Sequence, residues 1–399
     1  MGGRRRWAAV GAALVLAAAL AVTGATAAGG SGKGGKPIVI GAVVDLTGAM
    51  APFDAPALTA AQIRISQLNA AAGVDGRQLQ MVVCNWQFVP AKGKACAQKL
   101  LSQGADIMWV TCDVDWATPA IQPSLAAKKL TIAPCIGTDQ MGPKRFGAAG
   151  KLAFSFGNVA QDEGAAMAEY AVRRGWKTAV TVTDNAIVYF QNICQAFTAR
   201  FKQLGGQIVA AESFTQGDKN IGNVVSRILG QQAAVIGLCT FPGDLSTAVA
   251  GIRSAGNETP IIEPWAGDGT YWLPQSPKVS NYYDTTYASV FGDDPNPAVR
   301  SLIAKMKAQG HPPATGGFVT GAAAVEGIAT AIKRAHGSTD GAVLAKTLEG
   351  FRNVPTISGK ISFSPQLHTV FGRQYRVIEL TDSTPKVVGL IRAKAPAKI

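Results

Sequence analysis

Several clusters of polar and aromatic residues in this chain each follow a short apolar run. They are Thr47 with Phe53; Asp113, Asp115 and Trp116; Gly137 with Thr138; Tyr189; Thr240 with Phe241; and Trp265 with Asp268. Hydroxyls, a few acids, backbone N–H groups beside a glycine and aromatic walls suit a pocket for a small organic solute. They suit catalysis poorly. The chain has no G-x-S-x-G elbow, no H-E-x-x-H and no Gly-rich dinucleotide loop after a strand. His311, His336 and His368 lie outside the clusters, which removes the commonest acid–base residue. Gly30-x-x-x-x-Gly35-Lys36 imitates a phosphate loop, but Pro37 stands where Ser or Thr is required. The expectation is a binding protein without a cofactor; a hydrolase is the remote alternative, since one fold can host several chemistries.

Metal chemistry is not expected either. The six cysteines form no Cys-x-x-Cys, and the three histidines are isolated from one another. In an exported chain, Cys84, Cys96, Cys112, Cys135, Cys194 and Cys239 suggest disulfides.

The elements that must position the clusters alternate in type. Short apolar strands are predicted at Ile38–Val44, Leu79–Val83, Ile107–Val110 and Leu130–Ala133, with amphipathic helices between them. The plan repeats with strands at Ala179–Val182, Gln207–Ala210, Ala234–Leu238 and from Ile261, again separated by helices. Such alternation gives an α/β fold of two doubly wound units whose parallel sheets are covered on both faces. Ligands of such sheets sit beyond the carboxyl ends of the strands, where the clusters fall. Two units facing each other make one cleft.

The amino-terminal segment reads as an address. Arg4, Arg5 and Arg6 precede the uncharged apolar run Trp7–Val22, and small residues follow at Ala25-Thr26-Ala27-Ala28. This pattern predicts a cleaved signal peptide over residues 1–28 and a flexible Gly-rich linker over 29–36. No cysteine stands near the cleavage region to take a lipid, so the expected location is the periplasm, the cell-wall space or the medium. Without the three arginines the chain keeps 35 basic and 25 acidic residues, a net of +10. The cations are scattered and no reading motif occurs, which argues against nucleic acid as a partner.

Leu68-Asn69-Ala70-Ala71-Ala72-Gly73-Val74-Asp75-Gly76-Arg77-Gln78-Leu79 resembles a signature of periplasmic binding proteins of the leucine/isoleucine/valine-binding family. Ile40 to Gly48 resembles that family's first strand and ligand-side loop, Phe318 to Ala324 its late helix, and Gly359 to Ser364 its late glycine-strand segment. The similarity runs in order over nearly the whole mature chain.

The resemblance implies a type I periplasmic binding protein with a three-segment hinge. Lobe 1 is then 37–157 with 289–367, and lobe 2 is 158–288 with 368–399. It implies a monomeric substrate-binding protein that closes on a small polar or aromatic solute, amino-acid-like or related. Its partners are the permease and ATPase of an ABC transporter; a ligand sensor coupled to a receptor or regulator is the alternative. The implied ligand contacts are the cluster residues named above. In amino-acid-binding members a hydroxyl after the fourth strand holds the ligand carboxylate, which Thr138 matches, and a second-lobe acid holds the ammonium, near Asp268. Asp113 stands where a serine is expected, and an ionised carboxylate there repels a ligand carboxylate. In this topology Cys84–Cys96 join a strand to its following helix. Cys112–Cys135 lie beyond neighbouring strands, whose spacing a disulfide can bridge, and Cys194–Cys239 remain.

Overall fold

The structure is a computed structural model that describes residues 35–217 and 220–398. The expected signal peptide and most of the linker lie outside the described residues. The first sheet is laid down by β1 (Ile38–Val44), α1 (Ala51–Ala70), β2 (Leu79–Asn85), α2 (Pro90–Ser102), β3 (Ile107–Val110) and α3 (Val114–Ala126). It continues through β4 (Leu130–Ala133), the short α4 (Pro143–Phe146) and β5 (Ala153–Asn158). The second follows with α5 (Ala160–Arg173), β6 (Thr178–Asp184), α6 (Val188–Gln203), β7 (Gln207–Phe214), α7 (Ile221–Leu229) and β8 (Val235–Cys239). Then come α8 (Pro242–Ser254), β9 (Ile261–Glu263) and β10 (Tyr282–Thr286). The chain returns to the first lobe through α9 (Pro297–Ala308), α10 (Phe318–Arg334), α11 (Gly341–Glu349), the hairpin β11 (Val354–Thr356) and β12 (Gly359–Ile361), and β13 (Thr369–Val370). It ends in the second with β14 (Tyr375–Thr381) and β15 (Thr384–Ile391).

The first sheet has the order β13-β5-β4-β3-β1-β2 and the second β15-β14-β10-β9-β8-β6-β7. The first sheet is parallel: β3, β4 and β5 are buried on both faces, β1 nearly so, and the returns from β1 to β5 cross through helices. Ile38, Ile40 and Val44 of β1 have essentially no exposure, and each contributes about 2 kcal/mol by leaving water.

The second sheet differs from the all-parallel expectation at one edge. β14 pairs antiparallel with β10 and with β15. The two-residue turn Asp382-Ser383 has φ of 50° and 63°, the twist that a tight hairpin needs. β15 alternates exposed and half-buried residues along its length, as an edge strand does. β13 also stands apart from a lobe boundary at 368: Thr369 and Val370 pair with β5 of the first sheet, because Ser155 and Val159 donate to the carbonyls of His368 and Val370.

Three chain crossings join the lobes, and Arg373 in the third ties them together. Its Nη2 donates to the Phe156 carbonyl at 2.7 Å, beside the first crossing, and its guanidinium lies 5.0 Å from the Tyr287 ring at the second. Asn158 N–H donates to Tyr287 Oη at 3.3 Å. In the signature segment, Gly73 and Gly76 take φ of 79° and 73°, where a β-carbon is strained. Asn69 exchanges two hydrogen bonds with the Leu79 backbone, fixing the entry to β2.

All three cysteine pairs are disulfides: Cys84–Cys96, Cys112–Cys135 and Cys194–Cys239, with Cα separations of 5.6, 4.8 and 6.2 Å. No described helix is long and apolar enough to cross a membrane.

Candidate functional site

The carboxyl ends of β1, β3 and β4 face those of β6, β8 and β9 across a narrow cavity of about 20 Å³. Phe53, Asp113 and Gly137 line it from the first lobe, and Tyr189, Phe241 and Trp265 from the second. Each side therefore supplies part of one enclosure. Met50, Cys112, Ile187 and Ala266 complete the wall. The cysteine and Ile187 had no polar or aromatic signal to mark them.

The aromatic walls pack at contact distance across the lobes. The Phe53 ring meets Trp265 edge-on at 5.2 Å and Phe241 at 6.4 Å. Trp116 stacks on Phe241 at 5.0 Å with planes 19° apart, and so supports the wall from behind rather than lining the cavity. Trp265 in turn stacks on Tyr287 at 5.0 Å, which links the wall to the hinge. Gly137 lets the lobes meet: a β-carbon there would stand 2.5 Å from Tyr189 Cε2.

Asp113 is both a cap and a cavity residue. It precedes α3 in extended conformation, and its Oδ1 accepts from Trp116 N–H at 3.0 Å, the N-cap geometry. It is also the one acid among the described residues of the cavity wall. Burial pushes its carboxyl up to about 7, with repulsion from Asp115 adding to the effect. Below it, buried Asp54 is pushed up to about 7 by desolvation although Asp45 N–H, Cys112 N–H and the Thr111 hydroxyl all donate to it.

Glu163, which the sequence clusters omit, organises the second lobe's side. It sits in the first turn of α5, fully buried. Its carboxylate accepts from Tyr189 Oη at 2.9 Å and from Trp265 N–H at 2.7 Å, so one side chain sets two cavity walls. Burial pushes it up to about 8. Its only sequence signal is the acidic pair Asp162-Glu163 at a helix start.

Six of the predicted contacts stand elsewhere. Thr47 is exposed at the rim, in a loop held by Asp45, which accepts from Thr47, Gly48 and Met50 N–H groups. Asp115 spans the lobes: it pairs with Arg145 at 2.6 Å and accepts from Val188 N–H, at the start of α6, at 2.8 Å. Thr138 also spans them, donating to Asn192 Oδ1 at 2.9 Å. Thr240 turns inward to Asp184 at 3.0 Å. Asp268 accepts from Thr286 Oγ1 at 2.6 Å and from Gly316 N–H, bracing the second crossing instead of reaching the cavity. Trp116 supports Phe241 as described. No group of acids, histidines and cysteines among the described residues could hold a metal ion.

Residues 37–385 match the periplasmic binding protein family. Among curated proteins, a Leu/Ile/Val-binding protein homolog 3 of Brucella melitensis is 23% identical over 331 residues, covering 82% of this chain and 87% of its own length. Among solved structures, the branched-chain amino acid substrate-binding protein LivJ of Streptococcus pneumoniae, in complex with isoleucine, superposes with a TM-score of 0.76 at 20% identity, covering 89% of this chain and 99% of its own. A solute-binding protein of Rhodopseudomonas palustris in complex with 3,4-dihydroxybenzoic acid reaches a TM-score of 0.73 at 17% identity, with coverage of 91% and 97%.

Proposed function

The chain belongs to the periplasmic binding protein family, and from that premise we propose that it captures one small solute between its lobes and presents it to the permease of an ABC transporter. The family is one of solute-binding proteins of transport systems and not a class of enzymes. The observation that carries the reading is the single enclosure built half by each lobe, with Phe53, Asp113 and Gly137 facing Tyr189, Phe241 and Trp265. A ligand that touches both halves favours the closed arrangement by its greater affinity for it. The chain works as a monomer outside the cytoplasm after loss of residues 1–28.

The solute we propose has an aromatic or branched apolar body and one polar end directed at Asp113. Four aromatic rings wall the enclosure, and Asp113 is the one acid among its described lining residues. A carboxyl held up to about 7 is present in both protonation states near neutral pH. It can accept from an ammonium or hydroxyl, and when protonated it can donate to a ligand carboxylate. The repulsion expected from an ionised Asp113 is thereby relieved, which keeps amino acids and benzoic acids both within the class. The isoleucine and the dihydroxybenzoate held by the two similar structures each join an apolar body to polar groups, at one end in isoleucine and at both ends of the ring in the dihydroxybenzoate.

A thermal-shift screen of the mature chain against branched-chain amino acids, benzoate and hydroxybenzoates tests the proposal. The expected result is a raised melting temperature with members of at least one of these classes, and recovery of the compound unaltered. Chemical conversion of the compound in excess over protein would contradict a binding role.

A further inference from the structure

A second cavity, of about 320 Å³, lies at the hinge and shares no residue with the solute enclosure. Ser358 and Lys360 of the β11–β12 hairpin line it from the first lobe, and Arg373, Arg376, Leu390 and Arg392 from the second. Four of its lining side chains are cationic and none is acidic. Arg376 is already neutralised, because Nε and Nη2 donate to buried Asp294 at 2.8 and 3.0 Å. Lys360, Arg373 and Arg392 make no ion pair among the described residues.

Arg373 is the unusual member. It is 3% exposed, its Nη1 and Nη2 donate to the carbonyls of Ser358 and Phe156, and its Nε has no partner. A buried guanidinium with no carboxylate in ion-pair contact carries a desolvation cost that neutral acceptors, the Tyr287 ring and the more distant Glu163 offset only in part. An anion in the cavity beside it would supply the missing charge. Lys360 and Arg392, both exposed at the margin, stand on different lobes, and arginine suits planar oxyanions.

We infer that this cavity binds an oxyanion of more than one negative charge, a phosphate or a polycarboxylate, clamped between Lys360 and Arg392 beside the buried charge of Arg373. An anion held by both lobes has different affinities at different hinge angles, so it biases the lobe equilibrium. The site stands on residues outside the solute enclosure, and its failure leaves the transport reading intact.

Isothermal titration of the mature chain with inorganic phosphate, and separately with citrate, tests it, with sodium chloride holding ionic strength constant. The expected result is saturable one-to-one binding of at least one of the two. The double variant Lys360→Ala/Arg392→Ala, altered only at exposed positions, should bind that anion about tenfold more weakly or worse, given two lost charge-assisted contacts. No saturable heat from either anion with the unaltered chain, or an affinity unchanged in the double variant, overturns the assignment.

Discussion

Thr138 Oγ1 in the first lobe donates a 2.9 Å hydrogen bond to Asn192 Oδ1 in the second, and both residues are buried. Together with the Asp115 contact to Val188 N–H, it latches the two lobes beside the cavity they share. Polar contacts between the lobes therefore hold them together beside the cavity.

Loss of that latch has a measurable consequence. Thr138→Val keeps the volume of the side chain and removes the donor. A hydrogen bond of this kind contributes about 0.5–1.5 kcal/mol net, so the closed state weakens and solute affinity falls by roughly two- to twelvefold. Calorimetric titration with the solute found by thermal shift reads this directly; an unchanged affinity would mean that the bond plays no part in closure.

Gly137→Ala should obstruct closure sterically. The new methyl would stand 2.5 and 2.8 Å from two ring carbons of Tyr189 in the opposite lobe, well inside contact distance. Solute binding should be lost or strongly weakened, while thermal stability without solute changes little, since the clash exists only when the lobes meet. Wild-type affinity in this variant would show that the lobes do not approach as described.

Asp113 divides its duties between α3 and the cavity. Asp113→Ser retains capping ability, and a Ser cap should cost only a few tenths of a kcal/mol of stability. Affinity for solute should fall by about 1.5–3 kcal/mol if a charge-assisted hydrogen bond is lost. A variant with normal stability and normal affinity would assign Asp113 to the cap alone.

The buried acids set a pH dependence of known sign. Asp54 and Asp113 are pushed up to about 7 and Glu163 to about 8, in each case mainly by burial. A folded state that holds its protons more tightly than the unfolded chain is favoured at low pH, and the contribution is lost as pH rises through the folded value. Stability from these three acids is thus complete near pH 4 and declines between about pH 4 and 8. The melting temperature should fall over that interval, and Asp54→Asn should flatten the fall. A melting curve of the same steepness in the Asn variant would remove Asp54 from this account.

Much of the cavity was legible because strand ends are legible. Phe53, Asp113, Gly137, Tyr189, Phe241 and Trp265 follow apolar runs that form parallel strands, and the fold delivers such positions to one cleft. The same rule brought Thr240 and Asp268 to the right end of the sheet without fixing their direction. Asp184 and Thr286 turn them inward, and those partners come from other elements. Glu163 escaped notice because it follows a chain crossing rather than a lobe-two strand, and only tertiary packing puts its carboxylate between Tyr189 and Trp265. The β14–β15 hairpin was missed for a related reason: strand–helix alternation has no place for an antiparallel edge, although the Asp382-Ser383 turn marks it.

The central claim is that solute binding draws the two lobes together. Small-angle scattering of the mature chain, with and without a saturating amount of the solute found by thermal shift, measures this most directly. The account predicts a smaller radius of gyration in the presence of solute and recovery of the larger value when it is dialysed away. A radius of gyration that stays the same with solute bound would contradict capture by lobe closure.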